Sequence, residues 1–293
     1  MLQQSLPIET QANSVQAFGP QLLKWIGNKQ RFAAEIISYF PAVFGNYIEP
    51  FLGAGGVLGT LAPKNAFASD SFKPLMEIWW ALKENPDVLK GWYEERWNSF
   101  INDNRHGVYE RIKGSFNASP NGADLVFLCR TCYGGVVRFR QIDKYMSTPL
   151  GPHVPISPKS FSHRVDLWHD RVQGTTFKNI DFHESMRSAG SGDLIYCDPP
   201  YSNSQAILYG AQSFSLEDLF LEIKNCKSKG VFVALSIDGT KKSGNHYCDV
   251  PLPEGLFTRE IMIDCGRSML KRFQMNGKSL EDECVADRLL LTW

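Results

Sequence analysis

Short apolar runs alternate with stretches of helical spacing along most of this chain, which is the rhythm of an α/β protein. Runs rich in Ile, Val, Leu and Phe predict strands over 47–48, 65–70, 176–182, 194–197, 231–237, 258–263 and 286–292. Apolar residues three and four apart predict helices over 32–40, 57–61, 75–100 and 216–227. No helical pattern separates the last strands, which predicts an antiparallel hairpin at one edge of the sheet.

Between about residues 101 and 176 the alternation of strand and helix patterns is lost. The stretch contains Gly134-Gly135 and Gly151-Pro152 and few long apolar runs, so it is predicted to be rich in loops. We interpret it as an insertion between two halves of one mostly parallel sheet. The predicted division is a sheet domain of residues 1–90 and 176–293 and an inserted domain of residues 91–175.

Charge is balanced overall but unevenly distributed. The 293 residues include 31 Lys and Arg and 31 Asp and Glu, so the net charge neither indicates nor excludes a nucleic-acid partner. Residues 129–178 hold eight basic residues against three acidic ones, interleaved with Tyr133, Phe139 and Tyr145. This mixture suits contacts with phosphates and bases, and a solvated basic face is the alternative. A second basic stretch, 267–278, has four basic residues and no acid.

The seven cysteines are an odd number and are scattered, which fits a reducing compartment such as the cytoplasm better than a disulfide framework. Cys129 and Cys132 form a lone C-x-x-C pair without a nearby His pair, so no metal site is predicted. No apolar run is long enough to predict a membrane span. The polar N-terminal stretch lacks the pattern of a secretory signal.

The stretch 193–201 (Asp-Leu-Ile-Tyr-Cys-Asp-Pro-Pro-Tyr) contains the strongest candidate for a catalytic motif. The prolines stop the predicted strand because they lack N–H donors. The Asp198 carboxylate, the Pro199 carbonyl and the Tyr201 ring are thereby fixed at the carboxyl end of a strand, where open α/β sheets bind ligands. Cys197 would point to the opposite face and is predicted to be core. The alternative is a simple Asp-Pro-Pro turn.

A glycine cluster, Gly53-Ala-Gly55-Gly56, connects the first strand to a helix, as in nucleotide-binding α/β units. Its spacing differs from Gly-x-Gly-x-x-Gly, which favours an anion such as an amino-acid carboxylate over a dinucleotide pyrophosphate. Asp70 ends the second strand, where an acid can accept both ribose hydroxyls of a nucleoside or cap the next helix. Trp25 and Lys29 precede the first helix in a basic loop that either covers a ligand or is solvated surface.

The order of these blocks resembles the Dam-like DNA adenine-N6 methyltransferases. The matching blocks are 23–29 (Leu-Lys-Trp-Ile-Gly-Asn-Lys), 49–55 (Glu-Pro-Phe-Leu-Gly-Ala-Gly), Asp70, 133–139 (Tyr-Gly-Gly-Val-Val-Arg-Phe) and 198–201 (Asp-Pro-Pro-Tyr). Asn28 departs from the family, where Gly is common. The resemblance implies a Rossmann-like S-adenosylmethionine-dependent methyltransferase sheet, mostly parallel with an antiparallel edge strand, and makes 91–175 the target-recognition insertion.

The resemblance also implies S-adenosylmethionine as cofactor. Its site would be formed by Trp25, Lys29, Phe51, Gly53, Gly55, Asp70, Asp181 and Asp198. Lys29 would lie near the methionine carboxylate, Asp70 would hold the ribose, and Asp181 with Phe182 would lie beside the adenine. Double-stranded DNA is the implied substrate, contacted by Arg130, Arg138, Arg140, Lys144, Lys271 and Arg272. The commoner setting of the family adds a cognate restriction endonuclease that acts on the same site.

The chemistry expected of this family requires a poor nucleophile to be activated, because the lone pair of the adenine amine is delocalised into the ring. Asp198 and the Pro199 carbonyl can accept both amine hydrogens, which shifts the nitrogen towards sp³ geometry. The base must flip out of the duplex, and Tyr201 is predicted to stack on it. The alternatives are another amine (cytosine N4, RNA adenine or a protein amide) and a non-catalytic DNA-binding module.

Overall fold

The computed structural model describes residues 15–140, 142–200, 214–241, 246–248, 250–267 and 284–293. In this part of the chain the strands are β1 (Tyr47–Glu49), β2 (Ala66–Ser69), β3 (Thr175–Lys178), β4 (Leu194–Cys197), β5 (Phe232–Lys241), β6 (His246–Tyr247), β7 (Arg259–Arg267) and β8 (Cys284–Leu291). The α-helices in the same residues are α1 (Ala33–Ser38), α2 (Gly56–Leu61), α3 (Lys73–Glu84), α4 (Pro86–Asn102), α5 (Arg105–Ala118), α6 (Gly122–Thr131), α7 (Pro158–Arg171), α8 (Phe182–Arg187) and α9 (Leu216–Ser228). Each predicted strand is confirmed, with ends that differ by a few residues.

These strands form one sheet in the order β3–β2–β1–β4–β5–β8–β7, with the short β6 paired to β5. The strands from β3 to β5 are parallel, and β8 runs antiparallel to both β5 and β7. The predicted mostly parallel sheet and the antiparallel pair at one edge are therefore confirmed. The chain winds from β1 towards β3 on one side and from β4 towards β7 on the other. This reversal opens a crevice at the carboxyl ends of β1 and β4.

Residues along each central strand alternate between two apolar cores. Tyr47 and Tyr196 belong to the core built with helices α1 to α7. Ile48 and Ile195 belong to the core built with α8 and α9. Because β1 and β4 are buried along their whole length, their sequences are continuously apolar rather than alternating, except for Glu49.

The prediction of a loop-rich stretch over 101–176 is wrong for much of its length, because α5, α6 and α7 form there. Asn104, Asn121 and Ser157 cap these helices, since their side-chain oxygens accept hydrogen bonds from backbone N–H groups of the first turns. Gly107 and Gly114 lie within α5 and obscure its helical pattern in the sequence, because glycine disfavours helix. The irregular part is confined to the segment between α6 and α7.

The helix predicted over 75–100 is two helices. Pro86 occupies the first turn of α4, and the Asn85 side chain accepts a hydrogen bond from the Val88 N–H. Pro at this position starts a helix rather than continuing one. Helix α4 then continues past residue 90 into the predicted insertion.

Helix α7 lies in the predicted insertion but packs on the helices that cover the sheet. Its Trp168 ring centroid lies 5.5 Å from that of Trp79, and its indole N–H donates to the Pro20 carbonyl at 2.7 Å. Gly59 of α2 permits this approach, because a Cβ there would overlap the Trp168 ring. The domain boundaries near 90 and 175 stay a prediction. No helix in the described ranges is both long and apolar enough to span a bilayer.

We expect Gly59→Ala to lower the free energy of unfolding by about 1–3 kcal/mol, because the added methyl group forces Trp168 out of its packed position. Gly91→Ala is the matched control, because Gly91 lies within α4 and a Cβ there meets nothing within 4 Å. This control should be neutral or stabilising by about 0.5–1 kcal/mol, since Ala favours helix over Gly. Urea denaturation measures both changes. Equal effects of the two substitutions would contradict the packing argument.

Candidate active site

A cavity of about 550 Å³ lies at the carboxyl ends of the central strands. Its wall includes every residue that the sequence assigned to the cofactor, namely Trp25, Lys29, Phe51, Gly53, Gly55, Asp70, Asp181 and Asp198. The wall also includes residues that the sequence did not assign to the cofactor, namely Glu49, Phe72, Phe116, Asn117, Phe139, His183 and Tyr196. Segments far apart in the chain therefore meet in one concave site.

The glycine loop depends on close packing and on left-handed backbone. Gly53 and Gly55 have φ of 48° and 61°, a conformation that glycine adopts without strain. A Cβ at Gly55 would lie 2.8 Å from the Trp79 ring. Asn28, where the family commonly has Gly, accepts a hydrogen bond from the Gln30 N–H at 2.9 Å. Its side chain therefore stabilises the turn beside this loop.

Asp70 ties the glycine loop to the start of α3. Its carboxylate accepts hydrogen bonds from the Gly53 N–H at 3.1 Å and the Phe72 N–H at 2.9 Å. Burial raises the pKa of Asp70, although these backbone donors oppose the shift. An ionised carboxylate has about four lone-pair sites, so two backbone donors leave it able to accept hydroxyl groups of a ligand.

Glu49 ends β1 inside the cavity wall and is buried. Its carboxyl group accepts a hydrogen bond from the Tyr47 hydroxyl at 2.6 Å. Burial raises the pKa of Glu49 to about 8, and the nearby Asp198 carboxylate adds to the shift. The group is therefore mostly protonated at neutral pH. The position of Glu49 in the sequence could have indicated a site residue, because Glu49 lies at the end of a strand as Asp70 and Asp198 do.

Lys29 contacts the Asp198 carboxylate directly. Its Nζ lies 2.9 Å from Asp198 Oδ1 and 3.4 Å from Asp287 Oδ2, and it donates to the Gly27 carbonyl at 3.2 Å. Burial lowers the pKa of Lys29, but the two carboxylates outweigh this effect and the pKa is raised. Asp287 was missed because it lies within the strand β8, far from any motif.

Asp181 and Phe182 border the cavity where α8 begins. Asp181 caps this helix by accepting from the Glu184 N–H at 2.9 Å. Phe182 stacks on Phe51 with ring centroids 5.3 Å apart and on His183 at 4.0 Å. A layered aromatic wall therefore lines this side of the site. Cys197 is fully buried in the core that includes α8 and α9, which confirms its prediction as core.

The residues predicted to contact DNA differ in burial and in their hydrogen-bond partners. Arg130 donates to the Leu22 carbonyl at 2.8 Å and also to the Gln21 carbonyl, so its guanidinium stabilises the chain ahead of Trp25. Arg138 is partly buried, and its Nε lacks a hydrogen-bond partner among the described residues. Tyr201, Lys271 and Arg272 lie outside the described residues.

Arg140 and Lys144, which are also predicted to contact DNA, lie in a tight hairpin turn closed by Arg140 and Tyr145. The Arg140 N–H donates to the Tyr145 carbonyl at 2.9 Å and closes the turn. The Arg140 side chain pairs with Asp143 and lies over the Tyr145 ring at 4.4 Å. Lys144 borders the cavity, and Ile142 at the tip is 100% exposed. This turn connects the cavity to the protein surface.

The crevice lies where the winding of a mostly parallel sheet reverses, and a glycine loop and acids at three strand ends surround it. This combination defines a Rossmann-like enzyme of the methyltransferase type. A family model described as D12 class N6 adenine-specific DNA methyltransferase matches residues 25–259, and the chain belongs to this family. The resemblance to adenine-N6 methyltransferases is therefore confirmed. The protein is a DNA adenine methyltransferase that takes its methyl group from a donor.

Curated relatives agree with this family. The Type II methyltransferase M1.LlaDCHI of Lactococcus lactis subsp. cremoris is 25% identical over 241 residues, which cover 77% of this chain and 84% of the relative. The DNA adenine methylase of Haemophilus influenzae is 29% identical over 236 residues, covering 75% and 79% of the two chains. The DNA adenine methylase of Vibrio cholerae is 26% identical over 242 residues, covering 77% and 83%.

We expect Glu49→Gln to change how stability depends on pH. The folded protein holds a proton on Glu49 up to a pKa of about 8, whereas the unfolded chain releases it near 4.5. Wild-type stability therefore falls as pH rises through this window, and the variant should gain about 2–3 kcal/mol relative to wild type between pH 5.5 and 7.5. Thermal or urea unfolding at both pH values measures the difference.

The matched control is Glu84→Gln at an exposed position at the end of α3. This variant should keep a constant difference from wild type at both pH values. Parallel pH dependences for wild type and Glu49→Gln would show that Glu49 is ionised in the folded protein and contradict its assignment as a protonated group.

Proposed function

We propose that this protein transfers the methyl group of S-adenosylmethionine to the N6 amine of an adenine flipped out of duplex DNA. One observation carries the proposal. Asp198, at the end of β4, lines the same cavity as the glycine loop after β1 and Asp70 after β2. The Asp198 carboxylate can accept a hydrogen bond from an amine. It therefore lies beside a site that can bind a nucleoside with an amino-acid tail.

The residues of the cavity fit S-adenosylmethionine. A volume of about 550 Å³ is within the range of roughly 300–1,000 Å³ found for small-molecule sites. Backbone of the loop from Phe51 to Gly55 would hold the methionine part, and Asp70 would accept the ribose hydroxyls. Phe182 offers a ring face to the adenine, with Asp181 beside it. When bound, the cofactor supplies an electrophilic methyl group on a sulfonium.

Asp198 is the proposed acceptor for the amine hydrogen of the target adenine. The contact with Lys29 fixes Oδ1, and the carboxylate retains lone pairs for the amine. Hydrogen bonds donated by the amine to Asp198 and to the Pro199 carbonyl would increase the electron density on nitrogen, and they would stabilise the positive charge that develops there as the methyl group is transferred. Asp198 would then accept the proton that the methylated amine loses. We assign Lys29 to this carboxylate rather than to the methionine carboxylate, because Nζ already contacts Asp198.

We propose that the hairpin turn contacts the duplex. Arg140 and Lys144 lie in this turn and Arg138 lies just before it, and Lys144 connects the turn to the cavity. The assignment of Lys271 and Arg272 to DNA, and of Tyr201 to stacking on the flipped base, remains part of the proposal. Arg130 is left out, because backbone carbonyls occupy its guanidinium.

We also propose a biological setting for the protein. One relative is named a Type II methyltransferase, which supports a partner restriction endonuclease that acts on the same site. Buried thiols without disulfides support a reducing compartment such as the cytoplasm. They are Cys129, Cys132, Cys197, Cys226 and Cys248.

We expect Asp198→Ala to lower the rate of methyl transfer by about 10²–10³-fold or more, because an acceptor specific to the transition state is lost. The measurement is mass spectrometry of nucleosides from duplex DNA incubated with the protein and S-adenosylmethionine. N6-methyladenine is the expected product. Asp218→Ala, at an exposed position on α9, should retain wild-type activity. Methyl groups found only on cytosine or protein would overturn the proposed substrate, and full turnover by Asp198→Ala would overturn the role of this carboxylate.

We expect Arg140→Ala to weaken DNA binding and to reduce the slope of log K against log salt by about one unit, because one phosphate contact is lost. Fluorescence anisotropy of a labelled duplex at several salt concentrations measures both. The control is Arg105→Ala, since this exposed residue begins α5 at the opposite end from the cavity-lining Phe116 and Asn117. An unchanged slope for Arg140→Ala would exclude Arg140 from the phosphate contacts.

A further inference from the structure

The arm of the chain that returns from the hairpin turn is attached to helix α5. This returning arm (145–148) pairs antiparallel with the outgoing arm (138–140), where Met146 forms a bridge with Phe139. The pairing aligns the two arms with each other. The position of the hairpin relative to the cavity therefore depends on what holds the arms to the surrounding helices.

The Asn117 side chain of α5 uses both its acceptor and its donor on the backbone of a single residue of this arm. Its Oδ1 accepts from the Met146 N–H at 2.6 Å, and its Nδ2 donates to the Met146 carbonyl at 3.2 Å. The amide thus pairs with the backbone as a neighbouring strand would, by exchanging two hydrogen bonds. Such a contact fixes both the position and the orientation of the arm against α5.

Asn117 also lines the cavity, next to Phe116 of the same helix. Lys144 in the turn and Phe139 on the outgoing arm line the same cavity. The cavity wall, helix α5 and the returning arm therefore meet at Asn117. A change in the cavity wall at this point is transmitted to the turn through two hydrogen bonds rather than through loose packing.

Helix α5 holds the returning arm at a second point as well. The Tyr109 hydroxyl donates to the Thr148 carbonyl at 2.7 Å, about two helical turns from Asn117. Both Tyr109 and Thr148 are buried, and Tyr109 is not part of the cavity wall. The two contacts distinguish general attachment of the arm from its attachment at the cavity.

A ligand in the cavity and a duplex on the turn would favour the same position of this wall. The proposed donor would contact the wall from inside the cavity, and the duplex would hold the turn from outside. Two ligands that stabilise one conformation bind with positive coupling, and the coupling changes both affinities by the same factor.

We propose that Asn117 is a positioning residue that fixes the DNA-contacting turn to the wall of the donor cavity, so that duplex binding is tighter when the donor site is occupied. This inference rests on the proposed function, since it takes the cavity as the donor site and the turn as part of the DNA interface. It assigns Asn117 to the coupling between the two sites.

The experiment measures the dissociation constant of a labelled duplex by fluorescence anisotropy, with and without saturating S-adenosylhomocysteine, which has no methyl group to transfer. We expect this ligand to tighten duplex binding by the wild type about fivefold or more, a typical coupling between sites. Asn117→Ala should bring this factor close to one. Without the ligand it should weaken duplex binding about three- to tenfold, as for the loss of one hydrogen bond.

Two control variants on α5 separate this role from a structural one. Ser115→Ala, at an exposed position, should match the wild type. Tyr109→Phe removes the other hydrogen bond to the arm, so it should lower the free energy of unfolding in urea but keep most of the coupling factor. Asn117→Asp cannot donate to the Met146 carbonyl, and it replaces Asn117→Ala, with the same expected loss of coupling, if the latter does not fold.

A coupling factor that is absent from the wild type, or unchanged in Asn117→Ala, overturns the role of Asn117 and leaves the proposed function intact. An equal loss of coupling in Tyr109→Phe also overturns it, because general attachment of the arm would then account for the coupling. A wild-type protein that binds no duplex, or no S-adenosylhomocysteine, overturns the proposed function itself.

Discussion

The parallel pairing of β1 with β4 is the constraint on which the rest of the site depends. Tyr47 lies opposite Leu194, and the register is held at the start of both strands by Asp193. Its carboxylate accepts from the Asn46 N–H at 2.7 Å and from the Asn46 side-chain amide at 3.1 Å. Because paired strands lie about 4.8 Å apart, the glycine loop and Asp198 emerge side by side despite their separation along the chain.

The acids at this edge of the sheet have different surroundings. Burial keeps Glu49 mostly protonated at neutral pH, whereas the ammonium of Lys29 lies against Asp198. Asp70 accepts hydrogen bonds from backbone N–H groups of two loops. Neighbouring carboxyl groups thus have separate chemical uses, because each has a different balance of burial and hydrogen bonding.

The predicted insertion also contributes to the cavity. Phe139, next to the hairpin turn, packs edge-on against Phe72 with ring centroids 5.6 Å apart and approaches Phe116 of α5 at 6.2 Å. All three rings lie in the cavity wall. The turn proposed to contact DNA and the cavity proposed to hold the methyl donor therefore share one set of packed aromatic side chains.

The sequence by itself determined the strands, the glycine loop, Asp70 and the Asp198-Pro-Pro stretch, because each is a local pattern governed by backbone sterics and apolar periodicity. It did not determine the helices of the insertion, whose capping residues are local but whose apolar faces form only in the packed structure. Only the tertiary structure placed Arg130 against the Leu22 carbonyl and brought Asp287 to Lys29. Those contacts depend on which strands pair and in what register, and pairing between distant segments is not encoded in any short stretch of chain.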